Sequence, residues 1–141
     1  MNLIFLGDVV GEPGRNAVRD LLPKAKAAYA PDFIVINGEN SAGGNGITGR
    51  LAIELMRYGA DVITTGDHVW DQKETAAYLP TEPRLLRPFN YPAGTPGAGH
   101  VVVSGNGKKL GVINAQGRTF IKPELDNPFL LITPIIAPSS R

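Results

Sequence analysis

Three short apolar runs, each followed closely by a glycine and a polar residue, organise the first half of the sequence. The runs are Leu3 to Leu6, Phe33 to Ile36 and Val62 to Thr64. Uninterrupted apolar runs of this length are typical of strands that are covered on both faces, as in a parallel sheet. We therefore predict three neighbouring parallel strands.

Segments with helical periodicity separate these strands. A helix is predicted from Gly14 to about Tyr29, because apolar residues recur there at helical spacing between charged ones, and a bend is expected at Pro23. Apolar residues between Leu51 and Met56 predict a second helix, which Gly59 should end. Strand, helix and parallel strand form a βαβ unit, whose crossover is expected to be right-handed.

The pattern becomes less regular after the third strand. Asp71 and Glu74 have the spacing of a capping box, which predicts a short helix from about Gln72 to Tyr78 with Asp71 as its N-cap. Prolines and glycines are frequent from Pro80 to Gly99 and disfavour regular helix there. A short strand at Leu85-Leu86 is the one regular element expected in this region.

The last third of the sequence predicts a hairpin and then an atypical tail. Val101 to Val103 and Leu110 to Ile113 flank a glycine-containing turn, which is the pattern of an antiparallel hairpin. Leu130 to Arg141 is apolar, contains two prolines and lacks any periodicity, so no regular element is predicted there. We predict an α/β fold with a mostly parallel sheet and a C-terminal β-hairpin region. One domain should span residues 1–129, with an atypical apolar tail over residues 130–141.

Acidic side chains follow all three predicted strands. Asp8, Glu39 and Asp67 should share one crevice, with Asn40 and His68 beside them, because the carboxyl ends of parallel strands meet at one edge of a sheet. Three carboxylates in one crevice repel each other unless a cation lies between them. We therefore predict a metal site, the alternative being a set of unrelated helix caps.

The neighbouring polar residues allow more than one role. His68 could be a metal ligand, a general acid or a capped loop histidine, and acid–base chemistry is favoured because imidazole titrates near neutrality. Asn40 could offer a carbonyl ligand, an amide donor to a phosphate oxygen, or only a turn residue. His100 opens a valine strand and is predicted to be structural.

Several further residues have a functional and a structural interpretation. The glycine-rich loop from Ser41 to Gly49 could cradle a phosphate, or it could be a flexible connection, since it has no dinucleotide fingerprint and no Walker lysine. Arg87 and Arg118 could clamp a phosphate, or they could be exposed or salt-bridged. Trp70 and Tyr91 could line the crevice or belong to the core.

Composition narrows the classes of function and partner. A chain of 141 residues suits one domain, and a net charge of +1 gives no footprint for nucleic acid. The absence of cysteine excludes disulfides and thiolate metal sites, so that any metal must be held by oxygen and histidine. No signal peptide or membrane span is recognisable, and a cytoplasmic protein is expected.

Three motifs resemble those of the YmdB-type family of calcineurin-like metallophosphoesterases. They are Gly7-Asp8-Val9-Val10-Gly11, Asn37-Gly-Glu-Asn-Ser-Ala42 and Gly66-Asp-His-Val-Trp-Asp71. The resemblance covers about residues 1–129. It implies part of a four-layer α/β/β/α sandwich with a two-metal crevice, usually for iron or manganese, and hydrolysis of phosphodiesters such as 2′,3′-cyclic nucleotides.

The resemblance also implies roles by position. Asp8, Glu39, Asn40 and Asp67 would be metal ligands, with Glu39 bridging two metal positions. His68 would stabilise or protonate the departing oxygen of the substrate.

Two features depart from the family pattern. Asp67 stands where the family has asparagine, which keeps an oxygen ligand and adds a negative charge. Family members are also longer and carry further histidine ligands in a Gly-His-Thr-His-like segment that this sequence lacks. We therefore expect one divalent cation, Mn²⁺ or Mg²⁺, and self-association through apolar surface left uncovered. The alternative is a non-catalytic metal- or nucleotide-binding half-domain that requires a partner chain.

Overall fold

Four parallel strands form the central sheet of the computed structural model, which describes residues 1–121 and 125–136. The strands pair in chain order, β1-β2-β3-β4, and all pairings are parallel. They are β1 (Leu3–Leu6), β2 (Phe33–Asn37), β3 (Val62–Thr64) and β4 (Leu85–Leu86). The predicted strands and their parallel order are confirmed.

Four α-helices and an antiparallel hairpin complete the described structure. The hairpin consists of β5 (His100–Gly105) and β6 (Lys108–Ile113), as the sequence predicts. The helices are α1 (Gly11–Tyr29), α2 (Gly49–Tyr58), α3 (Thr75–Tyr78) and α4 (Pro128–Ile136). Two 3₁₀ turns, Asp67–Trp70 and Leu79–Thr81, flank α3.

The two longest helices and the hairpin cover opposite faces of the sheet. Along β2, Ile34 and Ile36 pack with α1 and α2 in the larger core cluster, whereas Val35 belongs to a smaller cluster against the hairpin. This alternation follows from the side-chain period of a strand. The arrangement is helix, parallel sheet and hairpin in three layers, and it confirms the predicted α/β fold class.

The predicted capping box after the third strand is wrong. Asp71 has helical dihedral angles, because it continues the 3₁₀ turn, whereas an N-cap residue needs extended ones. Its carboxylate lies 2.7 Å from Nδ1 of His68 instead of capping a helix. The helix is accordingly a single turn, Thr75–Tyr78, preceded by Glu74, whose side chain makes no capping hydrogen bond.

The first helix begins three residues earlier than predicted and contains Pro23. The amide of Gly11 donates to the carbonyl oxygen of Asn40 at 2.9 Å, so the start of α1 is joined to the loop after β2. Gly11 has φ 55°, a left-handed conformation that suits glycine.

A regular helix also occupies the segment for which no element was predicted. α4 runs through Leu130, so that expectation is wrong up to Ile136, and residues 137–141 lie outside the described part. The side chain of Asn127 accepts a hydrogen bond from the amide of Phe129 at 3.0 Å and so caps the first turn. The tail boundary at residue 130 stays a prediction. None of the described helices combines the length and the apolar character that crossing a bilayer requires.

Candidate metal centre

The loops after β1 and β2 are tied to each other at the carboxyl edge of the sheet. The amide of Val9 donates to the carbonyl oxygen of Asn37 at 3.0 Å. Asp8, just before it, has φ 43°, in the left-handed region that aspartate tolerates better than most residues. Non-glycine residues in this region are concentrated at functional sites, where surrounding contacts hold them in place.

Asn40 contacts Asp8 through its amide and leaves its carbonyl oxygen free. Nδ2 of Asn40 donates to Oδ1 of Asp8 at 2.7 Å. Oδ1 of Asn40 is buried and has no hydrogen-bond partner. The amide therefore orients the aspartate, while the free carbonyl oxygen can serve as a neutral ligand.

Glu39 has one hydrogen-bonded and one unpaired carboxylate oxygen. Oε1 accepts from Nδ2 of Asn37 at 3.3 Å, whereas Oε2 is buried without a partner. Burial raises the pKa of Glu39, and the negative charges of Asp67 and Asp8 raise it further. The Asn37 hydrogen bond and His68 oppose this shift. The carboxylate thus lies beside two other acidic groups, whose effect on its pKa is partly offset by His68.

Gly66 leaves room for that carboxylate. A Cβ built on Gly66 would overlap Oε2 of Glu39 and lie 2.7 Å from its Cδ. The glycine before Asp67 is therefore required by the close approach of the two strand ends.

The imidazole of His68 is oriented by a partner that the sequence prediction assigned to another role. Nδ1 lies 2.7 Å from Oδ2 of Asp71, and Nε2 lies 4.0 Å from Oδ2 of Asp67. The hydrogen bond to Asp71 raises the pKa of His68, and the charge of Asp67 adds to this effect. The sequence signal for this contact was the three-residue spacing of His68 and Asp71, because a 3₁₀ turn brings residues i and i+3 together.

The donor set suits a hard divalent cation in an open site. Unpaired buried oxygens such as Oε2 of Glu39 and Oδ1 of Asn40 are costly unless a ligand satisfies them. Carboxylate and amide oxygens are ligands of Mg²⁺ and Mn²⁺. Across residues 1–121 and 125–136, no three acidic or histidine side chains form a closed ligand cluster. The unpaired oxygens of Glu39 and Asn40 thus suit a hard divalent cation by their chemistry, while the described side chains are not arranged as a complete ligand set.

Arg87 does not reach the crevice as a phosphate clamp. Its guanidinium is largely buried and donates to four backbone carbonyl oxygens, those of Pro88, Phe89, Thr95 and Pro96. Both interpretations of Arg87, as a phosphate clamp and as an exposed or salt-bridged residue, are wrong, because its buried donors hold the proline-rich loop together. Arg118 is exposed, and its Nη1 lies 3.5 Å from the carbonyl oxygen of Leu125.

The remaining candidates have structural positions. Trp70 and Tyr91 stack edge to face at 5.6 Å and belong to the helix-side core, which favours their core interpretation. His100 contacts Phe89 edge to face at 5.4 Å, in agreement with a structural role.

The glycine-rich loop uses its amides internally. Ala42 donates to the carbonyl oxygen of Gly46, and Gly44 donates to that of Asn40. A Cβ at Gly46 would lie 2.9 Å from the side chain of Gln72 and 3.0 Å from the carbonyl oxygen of His68. The loop therefore packs closely against the turn that carries His68. This favours a structural role for the loop, in which it supports that turn, over phosphate cradling.

Comparison with known proteins gives consistent matches along the chain. A sequence model of the family described as YmdB-like protein matches residues 4–140. The 2′,3′-cyclic-nucleotide 2′-phosphodiesterase of Bacillus subtilis (strain 168) is 50% identical over 141 residues, which are 100% of this chain and 53% of that protein.

Two crystal structures have the same architecture. A hypothetical protein from Thermus thermophilus superimposes with a TM-score of 0.86 at 39% identity, over 96% of this chain and 52% of that one. A novel phosphatase from Mycoplasma pneumoniae superimposes with a TM-score of 0.87 at 32% identity, over 94% of this chain and 49% of that one. The chain thus spans about half the length of these three proteins.

Proposed function

Because the chain belongs to the family of YmdB-like proteins, we propose that it acts in metal-dependent hydrolysis of small phosphodiesters such as 2′,3′-cyclic nucleotides. The observation that carries this proposal is the pair of buried, unpaired oxygens on Glu39 and Asn40, two consecutive residues of the loop after β2. They lie close to the carboxylates of Asp8 and Asp67, and phosphodiester hydrolysis commonly relies on a cation in such a place.

We assign cation binding to Asp8, Glu39, Asn40 and Asp67, with manganese or iron as the ion that the family resemblance implies and magnesium also suited to the oxygen ligands. A bound divalent cation would polarise a phosphoryl oxygen as a Lewis acid. The amide of Asn40 keeps Asp8 in position, and the Asn37 hydrogen bond does the same for Glu39.

His68 supplies the proton in this proposal. Its Nδ1 is engaged by Asp71, so that Nε2 is the nitrogen left to face a substrate. The hydrogen bond to Asp71 raises the pKa of His68, which favours the protonated ring. Nε2 can therefore donate to the departing oxygen of the phosphodiester as a general acid.

The second candidate function is a non-catalytic, metal- or nucleotide-binding half-domain. It is favoured by the half-length match and by the histidine content, since the chain has only two histidines and His100 lies on the hairpin. In this case the cation would bind, and turnover would need residues from a partner chain.

Hydrolysis of bis(p-nitrophenyl) phosphate with added Mn²⁺ tests the two candidates. The first predicts turnover that falls about 100-fold or more in His68→Ala, in line with loss of a general acid, and that is unchanged in the matched control His100→Ala. Calorimetric binding of Mn²⁺ without turnover would support the second candidate. Absence of both binding and turnover would contradict the two together.

We also propose a cytoplasmic location, which the lack of cysteine supports, and a homo-oligomeric state.

A further inference from the structure

Two segments that are distant in sequence carry the residues of the proposed hydrolysis. Glu39 and Asn40 belong to the loop after β2, which continues as the glycine-rich loop to Gly49. His68 belongs to the 3₁₀ turn after β3. A general acid and a cation can act on one phosphodiester only when the two segments keep a fixed position relative to each other.

The side chain of Gln72 joins these two segments. Its Nε2 donates to the carbonyl oxygen of Asn45, in the glycine-rich loop, at 2.7 Å. Gln72 follows directly after Asp71, whose carboxylate lies 2.7 Å from Nδ1 of His68. Gln72 thus links the glycine-rich loop to the residue that orients the imidazole.

The backbone of the glycine-rich loop also packs closely against the turn at this point. A Cβ built on Gly46 would lie 2.9 Å from Cγ of Gln72 and 3.0 Å from the carbonyl oxygen of His68. Contacts this close leave no space for a side chain between the loop and the turn. The position of the loop therefore determines the position of the turn.

At its other end the glycine-rich loop is attached to the proposed ligands. The amide of Gly44 donates to the carbonyl oxygen of Asn40 at 3.0 Å, and Nδ2 of Asn40 donates to Asp8 at 2.7 Å. Asn45 follows Gly44 and carries the carbonyl group that Gln72 binds. A series of contacts therefore runs from Asp8 through the loop to Gln72.

We propose that Gln72 is a positioning residue, which holds His68 at a fixed distance from Glu39 and Asn40. This inference rests on the proposed function, because it gives Gln72 a part in the same hydrolysis. Gln72 acts through the turn of His68 and not on the substrate itself. Its loss should lower kcat, because a misplacement of a reacting group by about 1 Å can lower a rate about 100-fold.

Hydrolysis of 2′,3′-cyclic AMP with added Mn²⁺ by Gln72→Met tests this role. Methionine keeps the length of the side chain and its contact with Gly46, but it cannot donate to Asn45. We expect kcat and kcat/KM to fall together, by about 10-fold or more, since the general acid acts only in the transition state. Lys73→Met makes a similar change at the exposed neighbouring position and should leave both parameters unchanged. A purely structural role of Gln72 would lower Tm and leave kcat of the folded protein as in the parent.

Two glycine replacements test the same contact from the side of the loop. Gly46→Ala forces the loop away from Gln72 and His68, whereas Gly44→Ala adds a methyl group that meets no atom within 4 Å. The two glycines have φ values of 78° and 99°, so that both variants carry backbone strain. kcat should fall further in Gly46→Ala than in Gly44→Ala. This comparison decides the matter if Gln72→Met folds poorly.

A second measurement does not use turnover. The chain has only two histidines, and bound Mn²⁺ broadens the NMR signals of imidazole rings that lie near it. In the parent, the ring signals of His68 should broaden, and those of His100 on the hairpin should stay sharp. The broadening of His68 should be weaker in Gln72→Met, where the turn is released from the loop, and parent-like in Lys73→Met.

The outcomes distinguish this inference from the proposed function. A parent chain that binds no Mn²⁺ would overturn both. Parent-like kcat together with parent-like broadening of His68 in Gln72→Met would overturn the positioning role alone. Where Mn²⁺ binds without turnover, the broadening of His68 decides by itself whether Gln72 holds that residue in position.

Discussion

At the scale of single residues, Glu39 combines two opposing properties. Its unpaired Oε2 is available to a cation, yet burial and the nearby Asp67 and Asp8 make its negative charge costly without one. The same carboxylate should therefore destabilise the metal-free protein and stabilise the metal-bound one.

Glu39→Gln should abolish calorimetric binding of Mn²⁺, because an amide of the same shape keeps the packing and loses the charge. Glu74→Gln, which neutralises an exposed glutamate, should bind as the parent does. Equal binding by the parent and Glu39→Gln would remove Glu39 from the proposed ligand set.

The raised pKa of Glu39 adds a pH-dependent signature. An acid with a raised pKa in the folded state costs stability once pH rises above its unfolded value, and the full cost is present above its folded value. Metal-free Glu39→Gln should therefore have a higher Tm than the parent at pH 7. The two melting temperatures should converge below the ordinary glutamate pKa of about 4.3. A lower Tm for the variant at pH 7 would contradict burial as the dominant cause.

Asp67→Asn should weaken Mn²⁺ binding and leave any hydrolysis equal or faster. Removing one of three carboxylates lowers the attraction for the cation, but it also reduces repulsion of an anionic phosphodiester and preserves the Lewis acidity of the metal. Calorimetry and steady-state kinetics measure the two effects, with Asp20→Asn on the exposed face of α1 as the control. Tighter binding or slower hydrolysis in the variant would contradict this account.

The sequence predicted which residues come together better than how their side chains are used. The location of Asp8, Glu39 and Asp67 was predictable, because each residue comes just after a strand. Their roles as metal ligands stay predictions. The contact between Asp71 and His68 and the free carbonyl oxygen of Asn40 depend on side-chain directions that only the folded chain defines.

At the scale of secondary-structure elements, hydrophobic pattern located the strands reliably and local chemistry located the short helices poorly. β2 and β3 were recognisable because strands covered on both faces are apolar throughout. α4 was missed because its sequence shows no helical periodicity and contains Pro134, so that capping by Asn127 was the one signal for it.

Gly66→Ala should impair Mn²⁺ binding although Gly66 offers no ligand. The added methyl group would overlap the carboxylate of Glu39 at the start of the 3₁₀ turn, and one of the two must move. Gly111→Ala, where a Cβ meets no atom within 4 Å, is the matched control for a glycine replacement. Calorimetry should show weaker binding in Gly66→Ala alone, and parent-like affinity in that variant would show that Glu39 is not held against Gly66.

At the scale of the whole molecule, the structure resembles half of a larger fold. The relatives are about twice as long, and the described residues supply one helical layer, one parallel sheet and one hairpin. Sequence could predict this architecture, because the order of apolar runs determines it. Sequence could not predict that β1 would carry grooves on both faces, since they arise from the packing of distant elements.

Purified protein saturated with Mn²⁺ and then dialysed should retain at most one metal ion per chain by elemental analysis. The proposed oxygen ligands and His68 follow the ends of β1, β2 and β3 at one edge of the sheet, whereas His100 lies on the hairpin. A second, lower-affinity ion would be lost in dialysis, whereas a retained ratio of two would mean that further ligands had been overlooked. The Glu39→Gln variant, treated in parallel, should retain no metal. Any metal that it does retain measures non-specific binding.

The sequential strand order has a consequence for the growing chain during synthesis. All the proposed ligands lie within the first 67 residues, on loops joined to strands that pair with the next strand along the chain. The hairpin that covers the other face of the sheet follows only at residues 100–113. As the polypeptide leaves the ribosome, the acidic loops can therefore come into contact before the hairpin covers its face of the sheet. Val35 and Val62 stay accessible to chaperones until the hairpin arrives.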